Sequence, residues 1–175
     1  VALAHACFKT GIIMVNTNPR STADEIIRRI KDCTPKMVIT DSEGAEAVVK
    51  ALNTDKAGVE QMVFCPTLEK ENQWDELSEW ESIVSDDTSE PDIKISSEDI
   101  AILQYTGGTT GVLKGCCQTN HAFVAKAMAQ VQYFRPFLND NDYENYMVII
   151  ALGMSHAFGF GQGVVVNLTM GGTIF

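Results

Sequence analysis

Residues 1–68 alternate between stretches of helical period and short apolar runs, and this alternation restricts the fold more than any other feature of the chain. A strand followed by a helix and a further strand calls for a layered α/β arrangement with a largely parallel sheet and flanking helices. Residues 1–10 read as the end of a helix, Gly11 to Val15 as a short buried strand, and Asn16 to Pro19 as a turn. Ser21 or Thr22 can cap a helix whose first turn carries Asp24 and Glu25 and whose apolar side is Ile26, Ile27 and Ile30. Lys36 to Thr40 is the next strand, 42–53 a helix through Ala45, Val48, Val49 and Leu52, and Gln61 to Phe64 a third strand. With 45% apolar and 21% charged residues in 175, the chain has material for a core and is not disordered, collagenous or low in complexity.

The formal net charge of -10 is localised. Segment 69–99 holds 12 acids against Lys70 and Lys94, and the remainder balances 11 acids with 11 bases. This segment reads as a solvated acidic connection with a short amphipathic helix at Trp74, Leu77 and Trp80; an acidic partner-binding arm is the alternative. The acidic balance argues against nucleic-acid binding through a global positive field. Five scattered cysteines with no C-x-x-C pair indicate neither a disulfide framework nor a zinc site, so no metal ligands are assigned. Free thiols without a leader-like start suggest an intracellular site, with cytoplasm, peroxisome and mitochondrion equally open. Val1 at one end and Thr-Ile-Phe at 173–175 read as internal cuts in a longer chain.

Beyond the acidic segment, Ile100 to Tyr105 forms an apolar strand, 118–134 a helix and Val148 to Leu152 another buried strand. Residues 145–175 contain no Asp, Glu, Lys or Arg, yet six glycines together with Ser155, His156, Gln162 and Asn167 favour strand, loop, buried helix and strand over a transmembrane segment. The division expected is therefore an α/β part at 1–68, the acidic connection at 69–99, and a third part at 100–175.

The chemistry is concentrated at Thr106, Gly107, Gly108, Thr109, Thr110, Gly111, Val112, Leu113, Lys114 and Gly115. Glycines let backbone N–H groups approach a ligand closely, threonine hydroxyls add donors, and Lys114 supplies a point charge suited to phosphate. Placed between a strand and a helix, such a loop is a triphosphate cradle; on composition alone it also reads as a glycine-rich turn with surface threonines. It is neither a Walker A loop, since Gly115 follows Lys114, nor a dinucleotide fingerprint, since no G-x-G-x-x-G falls in it. Cys116 and Cys117 lie just past it, where a helix start could activate a thiol, although two ordinary cysteines is the plainer reading.

Tyr105 to Gly115, YTGGTTGVLKG, resembles the signature loop of the adenylate-forming (AMP-binding) superfamily, usually Tyr-Thr-Ser-Gly-Thr-Thr-Gly-x-Pro-Lys-Gly. Nine of eleven positions agree; Gly107 stands in place of the serine and Leu113 in place of the proline, which removes one hydroxyl and loosens the loop. Thr119 fits the family's following Thr-His stretch, with Asn120 and His121 in altered order. Met154 to Phe160 is similar to the later Pro-x-x-His-x-x-Gly motif, and Gly11 to Arg20 to the early strand and Asn-Pro turn.

The resemblance implies part of the large N-terminal domain of an acyl-CoA synthetase-like ligase. ATP would bind with Mg²⁺ at Thr106, Gly107, Gly108, Thr109, Thr110, Gly111 and Lys114, and CoA would be the co-substrate of a small carboxylic acid. His156, Phe158 and Gly159 would line the acyl pocket or thiol tunnel; without that context a lone histidine in this setting is an ordinary pocket residue. The family's Tyr-Gly-x-Thr-Glu and Thr-Gly-Asp stretches and its C-terminal domain with the catalytic lysine do not occur here. Catalytic residues are therefore not assigned within the chain, and the 175 residues alone are expected not to turn over. Adenylation for a carrier-protein thiol, a luciferase-like oxidation and a non-catalytic nucleotide-binding remnant remain open as alternatives.

Overall fold

In the computed structural model, residues 1–66, 71–107, 113–137 and 147–174 are described. The helix expected after Asn16 to Pro19 is α2, Ala23–Cys33. Thr22 accepts a hydrogen bond from the Glu25 N–H, and the Glu25 carboxylate accepts from the Thr22 N–H, so both ends of a capping box are made. Ile26 and Ile30 fall one turn apart and are buried against Val48, Ala51 and Leu52 of α3, Ala45–Thr54. Asp41 accepts from the Glu43 and Gly44 N–H groups, satisfying donors at the start of α3. Beside this pair, β2 (Met37–Thr40) and β3 (Gln61–Phe64) run parallel, with Val38 and Met62 packed on the same core.

Part of the acidic segment closes this unit. Trp74, Leu77 and Trp80 do not share a helix. Ser78 bridges in parallel to Val63, with Phe64 N–H donating to the Ser78 carbonyl and Ser78 N–H to that of Met62. Leu77 is buried beside Phe64, the Trp74 ring lies 5.7 Å from that of Phe64, and the regular helix shrinks to a 3₁₀ turn at Trp80–Ser82. Residues 17–90 form one compact unit.

The second unit comprises 1–16 and 91–175. Its sheet has the order β1-β4-β5: β1 (Met14–Asn16) is parallel to β4 (Ile100–Gly107), and β4 is antiparallel to β5 (Leu113–Thr119). The parallel expectation holds for β1–β4 and β2–β3, and β4–β5 is the antiparallel exception. The helix expected from 118 is α4, Asn120–Phe134, capped by the Thr119 hydroxyl, which accepts from the Ala122 N–H. Helix α1 (Ala2–Thr10), α4 and a π-helical stretch at Gly159–Val166 meet through Phe8, Phe123 and Phe160, whose ring centroids lie 5.4–6.3 Å apart. Ala101, Ile102 and Val164 complete that core. The π-helix runs into α5, Asn167–Thr169. The last pairing is β6 (Met147–Val148) with β7 (Thr173–Ile174), so the strand expected through Leu152 stops at Val148. Among the described residues, no helix is long and apolar enough to cross a membrane.

Candidate functional site

The glycine- and threonine-rich stretch falls between two antiparallel strands, β4 and β5, that form a hairpin. This corrects the strand–loop–helix placement: seven residues of strand β5 intervene before α4 begins. Gly108, Thr109, Thr110 and Gly111 lie outside the described residues, as do Val112 and the connection at 138–146. Thr106 and Gly107 end β4, and Lys114 lies at the start of β5.

Register brings the flanks together. Thr106 pairs with Lys114, and both are exposed on one face of the hairpin, where cross-strand side chains are neighbours. Lys114 forms no ion pair with any described residue, so its ammonium is free to meet an anion. Gly107 pairs with Leu113, so the two departures from the family pattern meet on one rung. A proline at 113 would have no N–H for the ladder; leucine keeps one, and the strand starts there. Tyr105 pairs with Gly115, where a Cβ would sit 3.3 Å from the tyrosine ring and 2.9 Å from Leu103. The absent side chain lets these two groups lie flat over β5.

Alternation divides the hairpin into two faces. Leu103, Tyr105, Gly115 and Cys117 share one; Gln104, Thr106, Lys114 and Cys116 share the other. Cys116 and Cys117 are exposed strand residues, which removes the helix-start setting that would activate a thiol. Burial pushes the Cys7 thiol up, and burial together with the Asp41 charge does the same to Cys65.

The His156 turn is braced from several sides. The His156 N–H donates to the Gly153 carbonyl at 3.0 Å, and the Phe160 N–H to the His156 carbonyl at 3.0 Å. His156 Nδ1 accepts from the Phe158 N–H at 3.2 Å, which leaves Nε2 as the ring's N–H donor. His156 and Phe158 are exposed, whereas Gly159 is buried. A Cβ at Gly159 would stand 2.3 Å from the Gly153 carbonyl oxygen and 2.9 Å from that of Leu152, so Gly159 serves the tightness of the turn.

One side chain joins the two groups. Gln104, buried in β4, donates its amide to the Ser155 carbonyl at 3.2 Å. Sequence reasoning did not single it out. The available signal was a glutamine interrupting the apolar run from Ile100 to Tyr105. The exposed hydroxyl and ammonium of Thr106 and Lys114 therefore stand on the sheet face to which the histidine turn is tied. Among the described residues no cluster of acidic, histidine or cysteine side chains is placed to hold a metal ion. A shallow groove of about 300 Å³ lined by Arg20, Ser21, Glu43 and Lys50 belongs to the other unit and shares no residue with this site.

Known proteins are similar to this chain in sequence and in fold. The 4-coumarate–CoA ligase CCL1 of Humulus lupulus is 29% identical over 166 residues, covering 94% of this chain and 29% of the ligase. The N-terminal domain of FACL13 from Mycobacterium tuberculosis superposes with a TM-score of 0.75 at 24% identity, over 98% of this chain and 39% of that one. A red-emitting luciferase from Phrixothrix hirtus superposes at 0.76 and 16% identity, over 98% and 32%. The chain thus spans under a third of the length of the plant ligase it matches. The family of AMP-binding enzymes matches across residues 1–175, from the early Asn-Pro turn through the hairpin to the histidine turn, and the chain belongs to it.

Proposed function

We propose that the chain contributes the phosphate-binding hairpin and part of the acyl pocket to an acid–thiol ligase. Such an enzyme activates a carboxylic acid with ATP and passes the acyl group to CoA. The observation that carries this reading is the Thr106–Lys114 rung, exposed on the same sheet face that Gln104 ties to the His156 turn. The similarity to CoA ligases supports it.

In the first step a carboxylate oxygen attacks the α-phosphorus of ATP. The bond from that phosphorus to the bridging oxygen breaks, and pyrophosphate leaves with the electron pair. Two anions must approach and the leaving group gains charge, so fixed donors facing the phosphates lower the barrier. Lys114, the Thr106 hydroxyl and the loop from Gly107 to Gly111, with Thr109 and Thr110, are the groups assigned to the triphosphate. Mg²⁺ would arrive on the triphosphate. In the second step the CoA sulfur attacks the acyl carbon, the bond to AMP breaks, and the thiol proton goes to solvent. His156 Nε2 and Phe158 are assigned to the wall beside the acyl group, and Gly159 to the shape of the turn.

Because the chain spans so little of the ligases it resembles, this activity is proposed for a longer polypeptide containing residues 1–175, with turnover by the 175 residues alone not expected. The test has two parts. The native product should be several times heavier than 19.2 kDa. It should catalyse acid-dependent ATP–pyrophosphate exchange and release AMP on adding CoA. Lys114→Ala should weaken Mg-ATP binding about tenfold or more, the scale of one charge-assisted contact. Unchanged affinity would remove the hairpin from the phosphate site, and transfer to a carrier-protein thiol in preference to CoA would replace the acceptor.

A further inference from the structure

We infer that Gln104 is a positioning residue that holds the His156 turn in register with the phosphate hairpin; its catalytic consequence rests on the function proposed above. Gln104 lies two residues before Thr106 on β4 and opposite Cys116 on β5, so its backbone is fixed by ladders on both sides. The residue is 7% exposed, and its side chain spans 51 positions of sequence to reach the Ser155 carbonyl. A backbone carbonyl only accepts, so the contacting end of the glutamine is its NH₂ group. On β1, Asn16 occupies the paired rung, and its Nδ2 is enclosed without a partner. Paired residues of neighbouring strands share a face, so two amides occupy adjacent rungs of the face that Gln104 ties to the turn. Buried amides in an otherwise apolar strand carry a desolvation cost that a packing role alone does not require.

The chemical reason for the tie is geometric. Adenylation needs a carboxylate oxygen within attack distance of the α-phosphorus, and the two reactants are assigned to different segments of the chain. The hairpin is anchored in β4, whereas 153–156 is a turn leading into the helical stretch that follows, held by its own hydrogen bonds and by Gln104. Displacing one half-site by about 1 Å can lower the rate by about 100-fold without altering either binding site.

The experiment uses the full-length protein and two variants. Gln104→Met keeps the length and volume and removes the donor; Gln104→Asn keeps the amide and falls one methylene short. Both are first checked for an unchanged melting temperature. Amide hydrogen exchange in 153–160 should then rise about fivefold to tenfold, with 113–119 unchanged, as one lost hydrogen bond predicts. In pyrophosphate exchange, kcat should fall at least about tenfold while KM for Mg-ATP stays within about twofold. If one variant does not fold, the other carries both measurements. Unchanged exchange in 153–160 would overturn the tie. Raised exchange with unchanged kcat, or a matching loss of ATP affinity, would overturn the positioning role. If the wild-type protein adenylates no acid, the proposed function and this residue's catalytic role fall together. The exchange data would still decide whether the tie exists.

Discussion

Residues 17–90 enclose Leu52, Val63 and Phe64 at 1% exposure or less, whereas the unit built from 1–16 and 91–175 leaves Ile149, Phe137 and Met147 between 66% and 83% exposed. The first unit closes a core with regular elements: two helices, α2 with a capping box, on two parallel strands and a bridging segment. The second spends its regularity on a three-stranded sheet and keeps Thr106, Lys114, His156 and Phe158 open. Burial rewards periodic sequence, and a ligand site such as the one proposed requires side chains withheld from burial. On that proposal the two demands fall in separate parts of one chain.

The largest test of this contrast is a pair of truncations. Leu52→Ala should cost about 3 kcal/mol, the mid-range for a fully buried leucine, and Ile149→Ala less than about 0.5 kcal/mol. Denaturant titration reads both, and equal losses would break the distinction. Next come two glycines. Gly159→Ala drives a methyl into the Gly153 carbonyl and should cost about 2 kcal/mol with loss of activity. Gly58→Ala meets nothing within 4 Å and bears only the strain of its φ of +87°, about 1 kcal/mol. A Gly159→Ala protein as stable and active as wild type would show that the turn is looser than its carbonyl contacts require. Thr22→Ala should remove about 1 kcal/mol by opening the capping box, with ATP binding untouched.

The smallest effect is at Asp55. Its carboxyl is held below the usual carboxylate range by hydrogen bonding to Lys31, then by the Ala57 N–H and the Lys31 charge. A depressed acid stabilises the fold above its unfolded pKa, and that contribution is lost as pH falls through the folded value. Asp55→Asn should therefore lower the melting temperature slightly at pH 7, and the difference should vanish in acid. The pair is exposed, so added salt should shrink it further. A difference that persists in acid would assign the effect to something other than charge.

The elements legible from sequence were those whose signals are local. Thr22, Glu25, Ile26 and Ile30 announce α2 within nine positions. The misreadings arose where the deciding partner is distant. Trp74 and Leu77 have helical spacing, but Asn72 accepts from the Trp74 N–H and donates to the Leu77 carbonyl, and the open edge of β3 captures Ser78. Leu113 to Thr119 shows no alternation and becomes a strand because β4 lies beside it. In the proposed site, Lys114 and His156 are the residues to which the motifs point. Gln104 was not, because its meaning depends on a carbonyl 51 residues away.

Strand β5 also offers a practical consequence. Cys116 and Cys117 are consecutive, exposed and directed to opposite faces. A single-cysteine protein retaining Cys116 would carry a fluorophore on the side of Thr106 and Lys114, and one retaining Cys117 would carry it on the side of Tyr105. The two labels share a backbone position to within one residue, so nucleotide-induced changes in emission from one and not the other would report the occupied side by difference, with the protein serving as its own reference.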